Sequence, residues 1–289
     1  MQATIFTQFV LPGVLALIMF GMGLSLSKVD FTRLMSTPKP VFVGLFGQLL
    51  VLPLFAFSIA LAFNAPPEIA IGLMILAACP GGTSSNLISH IAKANLALSV
   101  SLTALTTIVC VITTPLVIKY SIGFFSVQQA NEFSLLNTSF GLLLISILPV
   151  IAGMLIRARY SKFARRAEPK FRVLSTVFML LLIIIISYQE QDMIIAAFPD
   201  VFLLAMGLNL GATMIGLGMA NLGGLSGKDG VTLGIEIGTQ NASLAILIAV
   251  SFIQQPAFAI AAGVYGVIMY LGAFILIMLK QSSLTSTHH

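Results

Sequence analysis

Residues 80–86 read Pro-Gly-Gly-Thr-Ser-Ser-Asn, and they interrupt an otherwise apolar run, IAIGLMILAACPGGTSSNLISHIA, that extends from residue 69 to 92. Proline lacks the amide that a helix needs, and glycine accepts backbone angles that other residues resist. The pattern therefore predicts a helix broken near its middle, with Thr83 capping a second half-helix. A break frees carbonyls on one side and amides on the other. The carbonyls suit a hard cation, and the amide end, near Thr83 to Ser85, suits an anion. At membrane depth such backbone is tolerated only where it is buried in protein or lines a water-filled cavity.

The surroundings of the stretch make the membrane the relevant solvent. The chain has 289 residues, of which 58% are hydrophobic and 8% charged, with a mean hydropathy of +1.06. Soluble domains carry about 25% charged residues. The apolar runs have the length of membrane helices, about 17–25 residues, and lack the alternation of barrel strands. The expected class is an all-α integral membrane protein with nine transmembrane helices, near 8–27, 40–63, 68–92 (broken), 96–119, 133–156, 172–188, 198–222, 229–252 (broken) and 256–279. Residues 1–27 have no basic leader region and no cleavage pattern, so the first run reads as a retained helix. Cys79 and Cys110 lie in apolar runs and read as small buried side chains. The tail SSLTSTHH is given no role.

Charge placement orients the helices. Lys28, Arg33, Lys39, Lys93, Lys228 and Lys280 fall on one side, together with a dense basic loop of Arg157, Arg159, Lys162, Arg165, Arg166, Lys170 and Arg172. Lys119 falls on the other, with Glu68, Glu132, Glu190 and Asp192. This predicts a multi-pass protein of the cell (inner) membrane, N-terminus outside and C-terminus cytoplasmic. The net charge of +5 is then a topology signal and does not point to nucleic acid.

A second interrupted run, GIEIGTQN at 234–241, matches the first: GTSSNL at 82–87 compares with GTQNASL at 238–244. Paired broken helices in two halves are the sequence mark of an inverted-repeat secondary transporter with a site near the midplane. The second break carries Glu236, an acidic residue deep in a span with no lysine or arginine in any span interior to pair with it. A bound cation is the expected partner, with a proton as the alternative. Other oxygens stand within the spans. Ser99 and Thr103, four residues apart, share one helix face. Ser85 and Asn86 lie at the first break, Gln240 and Asn241 at the second, and Gln48 in the middle of LFGQLLVLPL. Hydroxyl, amide and carbonyl oxygens with a single carboxylate suit sodium better than calcium, which wants more carboxylates. Singly, the hydroxyls and Gln48 are equally compatible with helix-to-helix hydrogen bonds, the glycine-rich stretches with packing notches, and the methionines with packing filler.

Three stretches carry a resemblance: LIMFGMGLSL (17–26), CPGGTSSNLISHIAKANLALSVSLTALTT (79–107) and GIEIGTQNASLA (234–245) together resemble the bile acid:sodium symporter family, particularly its bacterial members. The resemblance implies a core domain and a panel domain, with two discontinuous helices crossing in the core. It further implies uptake of an organic anion coupled to two sodium ions and no other cofactor. One sodium site would use Ser85, Asn86, Ser99, Thr103 and Glu236. The other would use Gln48, Glu236 and Gln240, with carbonyls around Ile237 and Thr239. Thr83 and Asn241 lead the substrate contacts, with Gly82 and Tyr270 beside them. Many bacterial members have ten helices, so this chain reads as one transporter domain over 1–289, a first repeat (1–120) lacking its first helix and a second repeat (133–280). A Trp-His-Asn stretch in the last span of some members is replaced here by Met269, Tyr270 and Leu271. The substrate is left open between bile acids and small carboxylates such as pantoate or other keto and hydroxy acids. Proton coupling, or a sensor or channel without coupled transport, are the alternatives. A membrane enzyme is not expected, because no intramembrane catalytic constellation is present.

Overall fold

A computed structural model describes residues 9–126, 134–189 and 191–285. Glu132, Glu190 and the tail 286–289 lie outside the described residues, as does the Thr83 side chain. Regular structure among the described residues is helical throughout. In chain order it runs α1 Leu11–Ser25, α2 Lys28–Ser36, α3 Pro38–Ala62, α4 Pro67–Ala78, α5 Thr83–Ile91, α6 Leu96–Phe125 and α7 Leu135–Arg159. It continues with α8 Ser161–Gln189, α9 Gln191–Leu222, α10 Gly227–Gly238, α11 Ala242–Phe252, α12 Ala259–Ile268 and α13 Tyr270–Thr285. Five of the described helical stretches are long and apolar enough to cross a membrane, namely α3, α6, α7, residues Pro199–Leu222 of α9, and Pro256–Met278; α1, α4 and α11 are shorter apolar helices.

Apolar side chains form the core and also cover much of the outer surface, unlike in a soluble protein. Phe42, Leu155 and Met214 are 67%, 66% and 70% exposed, whereas Gln48, Ser99, Thr103, Asn209 and Glu236 are fully buried. Apolar side chains outside and polar ones inside are what lipid demands, since polar atoms in hydrocarbon must find partners within the protein.

Helix boundaries depart from the sequence expectations in three places, each for a local reason. The basic segment 157–172 is helical: Arg157 and Arg159 end α7, and Lys162 to Arg172 form the opening turns of α8. Charge excludes that stretch from hydrocarbon but costs a helix nothing. The last span is interrupted at Met269, between α12 and α13. And Gly82, with φ −89° and ψ 165°, takes the N-cap position of α5, so Thr83 is its first helical residue and no side chain caps that end. Pro115 lies inside α6 without ending it.

Two assemblies meet at the site. In one, α1 packs along α7 and α8. Its seam is so close that a Cβ on Gly23 would lie 2.2 Å from the Val150 carbonyl oxygen, and one on Gly153 would lie 2.3 Å from the Phe20 carbonyl oxygen. Backbone touches backbone there, the small-residue mode of helix packing in membranes. Gly153→Val should therefore force the seam apart and cost about 1–3 kcal/mol. A lowered melting temperature in detergent would register it, and an unchanged one would contradict so tight a seam. In the other assembly, α4, α5 and α6 pack with α10, α11 and α3. Loops at one end are tied together: Asn95 caps α6 by accepting from the Leu98 amide (3.1 Å), and its side chain donates to Asp229 Oδ1 at 2.8 Å.

Both broken helices are present, and their breaks touch. The chain is extended at Cys79 (φ −74°, ψ 155°) and at Thr239 (φ −123°, ψ 104°). Gly81 and Gln240 form an isolated antiparallel bridge, and the Asn241 amide donates to the Pro80 carbonyl at 3.1 Å.

Candidate functional site

The crossing gathers its polar groups from five elements. The loop after α4 brings Gly81 and Gly82, and α5 brings Ser85 and Asn86. Ser99 and Thr103 come from one face of α6, and Glu236 from the last turns of α10. Gln48 lies in a π-turn, Gly47–Val51, just ahead of Pro53. A wider turn accommodates the missing proline amide and re-aims the side chains along it.

Glu236 is fully buried. Ser99 Oγ donates to its Oε1 and also approaches Asn86 Oδ1 at 2.8 Å; Thr103 Oγ1 lies 3.1 Å from Oε2 and 3.5 Å from Asn86 Oδ1. Each hydroxyl has one hydrogen, so two donors face three acceptor oxygens, one or both of the carboxylate oxygens charged. The cluster is rich in oxygen and poor in protons. Among the described residues the one ion pair is Arg172 with Glu168, so no basic side chain neutralises Glu236. A group of hard oxygens with an uncompensated carboxylate is the donor set of a small hard cation. Ser85 is buried beside them, within reach of the Glu236 carboxylate, and its hydroxyl donates to the Gly82 carbonyl at 2.8 Å.

A second polar group adjoins the first at Gly81. Gln48 Nε2 is 3.5 Å from Gln240 Oε1, and Gln240 Nε2 donates to the Ile237 carbonyl at 3.0 Å. Gln48 Oε1 and Thr239 Oγ1 are two of the four buried side-chain atoms without a hydrogen-bond partner among the described residues. Buried oxygens are seldom orphaned, and each is an acceptor open to a cation. Gly81 has no room for a side chain: a Cβ would lie 2.9 Å from Glu236 Oε2 and 3.3 Å from Gln48 Nε2. Of the residues expected at the cation sites, the structure joins Asn86, Ser99, Thr103 and Glu236 by hydrogen bonds. It brings Gln48, Gln240 and the Ile237 carbonyl together, with Thr239 next to Gln240 in the chain, and it sets the Ser85 hydroxyl between the Gly82 carbonyl and the Glu236 carboxylate.

A cavity of about 260 Å³ lies between the crossing and the α1–α8 face, lined on the crossing side by Gly82, Ser84, Gln240, Asn241 and Ser243. Tyr270 reaches it; elsewhere Met19, Met22, Met179 and Met269 give apolar wall, and α8 adds Arg172, Ser175 and Thr176. Asn241 caps α11, accepting from the Leu244 amide at 3.1 Å, whereas the amide end of α5 has no such cap. Of the expected substrate contacts, Gly82, Asn241 and Tyr270 line this cavity.

Sequence reasoning missed three residues. Asn209 Nδ2 donates to the Gly238 carbonyl at 2.8 Å and the Met269 carbonyl at 3.1 Å, and its Oδ1 accepts the Gly272 amide at 2.9 Å. Tyr265, fully buried, donates its hydroxyl to the same Gly238 carbonyl at 2.8 Å. Together they satisfy the open end of α10 and the interruption of the last span. In the first broken helix Thr114 does the equivalent, donating to the Ala78 carbonyl. Tyr265→Phe should cost about 1 kcal/mol. With Asn209→Ala added, the Gly238 carbonyl is stranded, so the pair should cost more than the sum of the singles; additive melting shifts would contradict the shared role.

The fold and site together define a helical protein with membrane-length apolar helices and a buried, oxygen-rich centre where two half-helices cross. The sequence pattern of the "Sodium Bile acid symporter family" matches residues 12–197, well over half of the chain, and the chain belongs to that family. It is 30% identical to a Bacillus subtilis protein named "Uncharacterized sodium-dependent transporter YocS", over 88% of this chain and 77% of that one. It is also 30% identical to the "Probable sodium/metabolite cotransporter BASS1, chloroplastic" of Arabidopsis thaliana, over 88% of this chain and 62% of the plant protein. A human relative named "P3 protein" matches at 30% identity over 74% of this chain and 44% of its own length. The chain thus spans less than two thirds of the plant relative and under half of the human one.

Proposed function

We propose that this protein is a sodium-coupled symporter of a small organic anion, working by alternating access across a multi-pass bundle. The observation that carries the reading is Glu236, buried in an oxygen-rich cluster with too few protons and no basic partner. Two sodium ions are the co-transported substrates. One would be held by Glu236 with Asn86, Ser99 and Thr103, supported by Ser85. The other would be held by Gln48, Gln240 and the oxygens of Ile237 and Thr239, with Glu236 between the two. The organic anion occupies the adjoining cavity against Gly82, Asn241 and Tyr270, with Thr83 beside them in the chain. Its volume of about 260 Å³ is below the usual range of about 300–1,000 Å³ for drug-sized ligands, which favours a small carboxylate over a bile acid.

In this reading the chain crosses the membrane nine times, N-terminus outside, with 1–120 and 133–280 as unequal inverted repeats. The tied loops at Asn95 and Asp229 support a common side for the ends of the third and seventh spans. The packed group α1, α7 and α8 is the panel, and the crossing belongs to the core. Sodium stabilises the crossing, which shapes the anion cavity, and rocking of core against panel exposes it to either face. Two sodium ions with one monovalent anion carry one net positive charge inward per cycle.

The test compares melting of the purified protein in sodium and in potassium, then uptake in proteoliposomes under an imposed potential. Sodium at a hundred times its dissociation constant should add about 2.7 kcal/mol of stability, and inside-negative potential should accelerate uptake. A pH-dependent shift with no sodium effect would replace sodium by a proton as the coupling ion.

A further inference from the structure

Arg172 stands where the charge-sidedness reading placed only a topology signal. Its side chain lines the cavity at the crossing, and among the described residues it is the one charged side chain there. It also lines a second cavity of about 270 Å³, bounded by Ser25, His90, Arg157, Arg165 and Glu168. Arg172 and Leu87 are common to both, so they form the partition between them. The second cavity collects the helix ends that carry the basic residues, and it is a cationic vestibule.

In this structure Arg172 is held within its own helix. Its Nε donates to Glu168 Oε1 at 3.0 Å and its Nη2 donates to the same oxygen. The two side chains are 30% and 19% exposed. Guanidinium has five N–H donors in a planar fork suited to a carboxylate, and one oxygen of Glu168 leaves part of that fork open. Across the cavity, the amide end of α5 carries about half an elementary charge, and Ser84, Asn241 and Ser243 are neutral. A full charge outcompetes a partial one for the ionised end of a ligand.

We propose that Arg172 is the counter-ion of the transported carboxylate, exchanging Glu168 for the ligand when the cavity fills, and that the crossing wall receives the ligand's neutral polar end. The ligand class is a short carboxylate with a hydroxyl or keto oxygen and an apolar body against the cavity methionines. The carboxylate and the cation vestibule attract one another, and Glu168 competes with the ligand so that the anion is released instead of trapped. This rests on the transport reading above and adds the residue that recognises the anion.

The test uses full-length protein in sodium, with isovalerate, α-ketoisovalerate and α-hydroxyisovalerate as probes and their uncharged amides as controls, read by melting shift and by competition in uptake. Wild type should respond to the oxygenated carboxylates and not to the amides. R172Q should weaken the response by about ten- to a hundredfold, the worth of hydrogen bonds between charged partners, while keeping its sodium shift, which also reports correct folding. E168Q should strengthen it several-fold, because the competing carboxylate is gone. Opposite signs for the two variants are the signature of exchange. A helix-stabilising ion pair would give two variants that melt earlier and bind the probes equally well, and that result overturns the role of Arg172. Absence of any sodium shift in wild type would instead remove the transport reading, and the proposal with it.

Discussion

Glu236→Gln is expected to lose sodium-dependent uptake altogether while the protein still inserts and folds. The substitution keeps the shape of the side chain; its amide oxygen still accepts from one of the two hydroxyls of Ser99 and Thr103, and its NH2 can donate to the other once that hydroxyl turns its own hydrogen elsewhere. What it removes is the one negative charge in the cluster. A sodium ion brought there would then be a buried charge without a partner, a change that costs about 3–5 kcal/mol when one member of a buried pair is deleted. At 1.36 kcal/mol per tenfold, sodium affinity should fall by at least about a hundredfold. Titration of the melting temperature with sodium measures this directly. Gln should also relieve the burial cost of an uncompensated carboxylate, so the variant in potassium should melt no lower than wild type. Asn86→Ala, which removes one neutral oxygen, should weaken sodium less. A Glu236→Gln protein that retained wild-type sodium dependence would move the cation elsewhere.

Much of this site is written in short-range signals. Proline, glycine and hydroxyl residues inside an apolar run fix the first break to within a residue or two, and Glu236 marks the second because a carboxylate in hydrocarbon has few structural excuses. The pairing of Ser99 with Thr103 follows from helical spacing. The partners of those groups were less legible. Nothing in MGLNLGATM says that Asn209 faces the Gly238 carbonyl, 29 residues on, because helix rotation is set by neighbours the local pattern does not name. Tyr265 sits in an apolar stretch and reads equally well as packing. Thr83 looked like the cap, yet Gly82 can adopt the extended angles of that position and does. Arg172 escaped for another reason. Its charge was fully explained by the sidedness of the basic segment, and only the course of α8 past the cavity gives it a second use.

Gly81→Ala should be the next most damaging change after Glu236→Gln, from a single methyl group. The added Cβ would lie 2.9 Å from Glu236 Oε2 and 3.3 Å from Gln48 Nε2, closer than side-chain atoms settle. Gly81 cannot retreat, because it is bridged to Gln240 and followed by the cap of α5. The side chains must yield instead, and they are the ones that would shape both proposed cation sites. Displacing a ligating oxygen by a few tenths of an ångström loses contact with the ion, and a shift of both should weaken sodium by about tenfold or more. Overpacking of this kind carries about 1–3 kcal/mol of strain. Sodium titration of the variant would read the loss, and comparison with Gly13→Ala, where a Cβ meets nothing within 4 Å, controls for the substitution itself. Unaltered sodium affinity in Gly81→Ala would show that neither cation lies against this residue.

The bridge that holds Gly81 against Gln240 also constrains the order in which the molecule can be made. The Pro80 carbonyl has its partner in the Asn241 amide, about 160 residues further along the chain. At ordinary synthesis rates of about 5–20 residues per second, that partner emerges roughly ten to thirty seconds after the first break. Until then the α4–α5 segment holds unpaired backbone groups that hydrocarbon does not tolerate. Only the second half supplies that partner, so the crossing cannot close until Asn241 has been made, however early the first half is inserted.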